Sequence, residues 1–128
     1  MKIKKIVLNW LAVLIWMGVI YYFSSQPNLK SELEPIWDLI FRKIAHMAEF
    51  FILAHLLFKA YQSHGLSVKK SLFFAFIIAL AYATADEWHQ SQIAGRVASI
   101  IDVGIDGFGA LFFIFLKLVE KPVKLNNV

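Results

Sequence analysis

His46, Glu49, Asp86, Glu87, His89, Asp102 and Asp106 are the side chains of this sequence best suited to moving protons or holding a hard cation. Arg42, Lys43 and Arg96 are the cations nearest them in the chain. A histidine beside a carboxylate is the pairing that general acid–base catalysis needs, so His46 or His89 with Asp86 or Glu87 is a candidate catalytic set. The same acids and imidazoles offer ligands to a divalent cation. Arg42, Lys43 and Arg96 suit a phosphate or carboxylate, with the nearby acids restricting their rotation. Ser24 and Ser25 are either nucleophiles or hydroxyls that satisfy free carbonyls at the end of a helix. None of the spacings is a metal signature: there is no His-Glu-x-x-His and no EF-hand loop. There is also no Gly-x-Ser-x-Gly and no Walker loop. The cofactor stays open: a divalent cation is compatible with these ligands, and haem, flavin, iron–sulfur and nucleotide signatures are missing. The chain has no cysteine, which excludes disulfides, thiolate metal sites and thiol nucleophiles.

The elements that position these residues are dictated by composition. The chain has 128 residues, of which 59% are hydrophobic and 17% charged, with a mean hydropathy of +0.64. Ordinary soluble domains are roughly 45–50% apolar and about 25% charged. A small soluble domain buries too little of its surface to hide this excess. Lipid is the alternative solvent. A spanning helix needs about 20 apolar residues, and four runs supply them, at about 6–23, 36–61, 70–86 and 99–119. The runs are continuous and do not alternate with period two, so they read as helices, not barrel strands. The expectation is a single all-α domain, an integral membrane four-helix transmembrane bundle. Lys2, Lys4 and Lys5 before an apolar run also suit a signal peptide, but Phe23-Ser24-Ser25-Gln26 is a poor cleavage site. An uncleaved first span is expected.

Lys and Arg set the orientation. With the amino terminus inside, nine of the thirteen bases fall on the inner side, and only Lys30, Arg42, Lys43 and Arg96 fall outside. Both termini are then cytoplasmic. Of the nine acids only Glu120 is on the inner side. The net charge of +4 is therefore a topology signal. No basic stripe interleaved with aromatics marks a nucleic-acid partner.

Charges inside spans cost about 2.5–3.5 kcal/mol each at the helix centre, so compensation is required. At about 100° per residue, Arg42, Lys43, His46 and Glu49 share an arc of about 120° on the second helix. His55 falls on another face. On the fourth helix Asp102 and Asp106 stack with Gly109, a small face that lets another backbone come close. On the third, Ala75, Ala79 and Ala83 form a small ridge running toward Asp86-Glu87-Trp88-His89-Gln90. Packing these stripes toward one another predicts an outward-opening polar cavity, with Arg96 in the loop beside Gly95 placed to close over it.

The ordered set Tyr22-Phe23-Ser24-Ser25-Gln26-Pro27, Arg42-Lys43-x-x-His46, Asp86-Glu87-x-His89-Gln90, Gly95-Arg96 and Asp102-x-x-x-Asp106 resembles the VanZ-like family over nearly the whole chain. Ile93-Ala94-Gly95-Arg96 followed by Val97-Ala98-Ser99 departs slightly from that family's usual Phe/Pro-Gly-Arg, small residue, Asp loop. The family often has an aromatic near Glu49, which sets that residue apart from His46. The resemblance implies a small multi-pass bacterial protein of the inner cell membrane, linked to glycopeptide resistance, teicoplanin in particular. It adds Ser25, Gln26 and Gln90 to the candidate ligand-binding residues.

Three classes of function follow. In the first, the polar pocket binds membrane lipids, a lipid-linked cell-wall precursor or a lipoglycopeptide. Arg42, Lys43 and Arg96 hold the anionic head group there, while Asp86, Glu87, His89, Asp102 and Asp106 shape the pocket. In the second, the chain is a membrane enzyme acting on a lipid phosphate or lipid-linked precursor, with His46 or His89 as acid–base. In the third, Arg42, Lys43 and Arg96 only clamp the bundle by pairing with the acids. An ion route across the membrane is disfavoured, because no polar stripe continues into the inner half.

Overall fold

The computed structural model describes residues 2–25, 35–93 and 99–120. Within them the chain forms four helices: α1 (Lys2–Ser24), α2 (Pro35–Gln62), α3 (Val68–Gln90) and α4 (Ile100–Val119). The Lys2–Ser24, Ile36–Gln62 and Val68–Gln90 segments are each long and apolar enough to cross a membrane. The 20 residues of α4 reach about 30 Å at 1.5 Å each. Gln26 and Arg96 lie outside the described residues.

Helix ends follow local chemistry. The α2–α3 turn uses Gly65 at φ 84°, a left-handed backbone that glycine adopts without steric cost. Ser67 then caps α3 by accepting a hydrogen bond from the Lys70 N–H at 3.2 Å. Ser99 caps α4 the same way, accepting from Ile101 N–H at 3.1 Å. Two boundaries differ from the sequence reading. Helix α1 begins at Lys2, not near residue 6, because nothing in Lys2–Lys5 breaks a helix. Helix α3 runs on to Gln90, one turn past residue 86. Its polar end stays helical because Glu87 and Gln90 find hydrogen-bond partners on neighbouring segments.

Helix α2 is the hub, packed against each of the other three helices, whereas α1 touches only α2 and α3 among the described residues. Phe50, Leu53, Ala54 and Leu57 of α2 are fully buried, the i, i+3, i+4, i+7 stripe of an inward helical face. The Ala75, Ala79 and Ala83 ridge of α3 is also fully buried. Large apolar side chains such as Leu14, Ile15, Phe73, Phe108 and Phe115 point outward, as expected where lipid is the solvent. The small-residue ridge of α3 suits packing in a bilayer, where close backbone approach brings helices together. Polar ties fasten α1 to this core: Trp16 Nε1 donates to the Glu49 carbonyl at 2.9 Å, and the Tyr82 hydroxyl donates to the Met17 carbonyl at 2.6 Å.

Candidate functional site

Three helices bring ionisable side chains to one buried centre. Helix α2 contributes His46 and Glu49, α3 contributes Asp86, and α4 contributes Asp106. Asp86 is 5% and Asp106 2% exposed. His46 Nδ1 lies 3.5 Å from Asp106 Oδ1 and 3.7 Å from Glu49 Oε2. One ligand atom each from His46, Asp86 and Asp106 falls within 4.8 Å of the others. The contact requires α2 and α4 to approach closely, and Gly109 makes that possible: a Cβ there would sit 2.1 Å from the Met47 carbonyl oxygen.

Around this centre the cations are engaged by acids. Lys43 pairs with Asp102, linking α2 to α4. Arg42 Nη2 pairs with Asp38 Oδ2 at 3.0 Å, one turn back on its own helix. Asp38 had no place among the candidate site residues, although its i, i+4 spacing from Arg42 is the signal that finds it. The Arg42 Nε is shut off from solvent and makes no hydrogen bond among the described residues.

Glu87, a candidate acid–base or metal residue, has its Oε1 accepting the Ser99 N–H at 2.7 Å. It therefore ties the end of α3 to the start of α4. His89 turns toward α1 instead, where its ring stacks on Tyr21 with centroids 4.5 Å apart. Its Nε2 lies 3.0 Å from Ser25 Oγ. Ser25 Oγ also donates to the Tyr21 carbonyl at 2.8 Å, the helix-end role read from the sequence. Ser24 does something else: its hydroxyl accepts from Gln90 Nε2 at 3.3 Å. The candidate histidines thus fall in two separate groups, His46 with Asp86 and Asp106 among α2, α3 and α4, and His89 with Ser25 between α1 and α3, while Lys43–Asp102, Arg42–Asp38, Glu87–Ser99 and Gln90–Ser24 pair apart from them. His55 belongs to neither group and packs edge-on against Phe113.

On the outer surface of α2 and α4 lies a groove of about 510 Å³ lined by Ile44, Met47, Ala48, Phe51, Ile52, Phe108, Gly109 and Phe112. Every lining residue is apolar. Lys43 sits one turn before Met47 on α2 and Asp102 six residues before Phe108 on α4, so the Lys43–Asp102 pair lies just beyond one end of this groove.

The family profile described as VanZ/LLP1 matches residues 9–119, a span that includes the whole site. The chain belongs to the VanZ/LLP1 family. No curated protein and no solved structure gives a significant match. This VanZ-like membrane protein therefore carries its family's matched region across all four helices, with the buried His46–Asp86–Asp106 centre and the α2–α4 groove inside that span.

Proposed function

We propose that this VanZ-like protein spans the inner cell membrane four times, with both termini cytoplasmic, and binds an amphiphilic envelope ligand from the outer side. The observation that carries this reading is the wholly apolar α2–α4 groove ending at Lys43 and Asp102. An acyl chain fits such a groove, and an anionic head group beside it meets Lys43. Ligands of this kind include a lipid-linked cell-wall precursor and an acylated glycopeptide such as teicoplanin. Capture of the acyl chain at the membrane surface is a physical route to a resistance phenotype.

The test titrates the full chain in nanodiscs with teicoplanin and with the same glycopeptide lacking its acyl chain. The acylated form is expected to bind at least about tenfold more tightly, ~1.4 kcal/mol. Ala48 is exposed and lines the groove, so Ala48→Trp fills it without entering the core. This variant is expected to weaken binding by a similar factor at an unchanged melting temperature. Equal affinities for the two ligands, or an Ala48→Trp protein that binds like wild type, count against the groove.

A membrane enzyme is the second reading, favoured by the 3.0 Å contact between Ser25 Oγ and His89 Nε2. A hydroxyl within hydrogen-bond reach of an imidazole is the arrangement that activates a serine nucleophile, and here it requires the Ser25 hydroxyl proton to turn from the Tyr21 carbonyl to His89 Nε2. Ser25→Ala is then expected to abolish any change in lipid or precursor pools caused by overexpression. Pools that respond equally to wild type and Ser25→Ala remove this reading.

A further inference from the structure

We infer that His46, Asp86 and Asp106 form a binding site for one divalent cation of the Mn²⁺/Zn²⁺ class, held between α2, α3 and α4. The inference does not depend on the groove or its ligand.

Donor geometry is the first support. Ligand atoms bound at about 2.0–2.2 Å from one ion stand roughly 3–4.4 Å apart. Here one atom from each of the three residues lies within 4.8 Å of the others. Side-chain movements of well under an ångström per group bring all three onto one ion. The donors come from three different helices, so a bound ion would fix the outer half of the bundle as a unit.

Charge accounting is the second. Buried carboxylates are paired with cations or coordinate metals, because an isolated one is too costly away from water. Asp106 Oδ1 and Glu49 Oε2 both face the single Nδ1 of His46, and one imidazole carries at most one positive charge against two carboxylates. A dication shared by these groups would balance both carboxylates.

Glu49 is the third. Its Oε2 is shut off from solvent, receives no hydrogen bond among the described residues and lies 3.7 Å from His46 Nδ1. Glu49 falls outside the 4.8 Å set, so a change of its side-chain rotamer would be needed to bring that atom in as a fourth ligand. One imidazole nitrogen with carboxylate oxygens is a mixed, moderately hard donor set. It suits Mn²⁺ or Zn²⁺ better than Ca²⁺, which takes 6–8 oxygens, or Mg²⁺, which retains its waters.

Mn²⁺ is the probe for the test, used with the full chain purified in detergent and stripped of metal with EDTA. Electron paramagnetic resonance titration is expected to show one Mn²⁺ per chain, displaced by Zn²⁺. Pulsed spectra are expected to show coupling to a single imidazole nitrogen. Bound ion stabilises the native state in proportion to ln(1 + [Mn²⁺]/Kd), so the melting temperature should rise with Mn²⁺ concentration. Asp86→Asn and Asp106→Asn are each expected to weaken binding at least about a hundredfold, ~2.7 kcal/mol, while Asp38→Asn leaves it intact. Wild type that binds neither ion at millimolar concentration overturns the inference. So does binding without nitrogen coupling, or binding that survives in Asp106→Asn. If the variants do not fold, the stoichiometry and nitrogen coupling of wild type decide the matter alone.

Discussion

Gly109→Ala is expected to be the most damaging single methyl that can be added to this protein. The new Cβ would lie 2.1 Å from the Met47 carbonyl oxygen and 2.9 Å from its carbonyl carbon and Cα. All three are backbone atoms of α2, so no rotamer change relieves the clash. The helices must separate. Overpacking a tight interior costs about 1–3 kcal/mol, and more where the neighbour is rigid. We expect a loss on the order of 3 kcal/mol or more, read as a large drop in melting temperature in detergent.

Two glycines on the same helix serve as controls. A Cβ at Gly107 would meet only the Leu80 Cδ1 at 3.1 Å, the far end of a flexible side chain, and one at Gly104 meets nothing within 4 Å. Gly107→Ala should cost little, and Gly104→Ala should be neutral or stabilising by up to ~1 kcal/mol from helix propensity. Separation of α2 from α4 also pulls His46 away from Asp106 and opens the groove. Gly109→Ala should therefore lose cation and amphiphile binding together. A Gly109→Ala protein as stable as wild type would mean that the two backbones do not meet at Met47.

The second large effect is expected at Glu87. Its buried carboxylate accepts the Ser99 N–H at 2.7 Å, one of the orphan donors that every helix start must satisfy. Glu87→Ala removes the acceptor and leaves that N–H unpaired, costing about 1.5–3 kcal/mol for a hydrogen bond to a charged group. Glu87→Gln keeps a carbonyl oxygen in nearly the same place and should recover most of the loss. Hydrogen exchange gives a local readout: amides in the first turn of α4, at 100–103, should exchange faster in Glu87→Ala and near the wild-type rate in Glu87→Gln. That turn carries Asp102, and Asp106 follows one turn later, so a frayed start disturbs both acids. Equal exchange in all three proteins would assign Glu87 a role other than anchoring α4.

The helices were legible because their signal is local. A run of some 20 apolar residues has few stable alternatives to a membrane helix, since an unpaired backbone group in lipid costs several kcal/mol. The sites of close approach were legible for the same kind of reason. Ala75, Ala79 and Ala83 share one face by spacing alone, and all three are fully buried. Gly109 shares a face with Asp102 and Asp106, and that face meets α2. The Arg42–Asp38 pair was equally local, and it is the i, i+4 relation on a helix that gives it away.

Partner choice across helices was a different matter. Each residue turns a helix face by about 100°, so a small rotation or a shift of one turn exchanges every cross-helix neighbour. Nothing in Ser25 or His89 alone says that the two meet at 3.0 Å, leaving His89 apart from His46. Nothing in Glu87 alone says that it will satisfy the start of α4. The amino-acid sequence by itself determined the solvent, the helices and the faces that carry charge, because these depend on composition and on periodicity within one segment. Tertiary structure alone decided which charges share a centre. That outcome depends on the relative rotation and depth of α2, α3 and α4, and those are set where Gly109 lets the Met47 backbone come close.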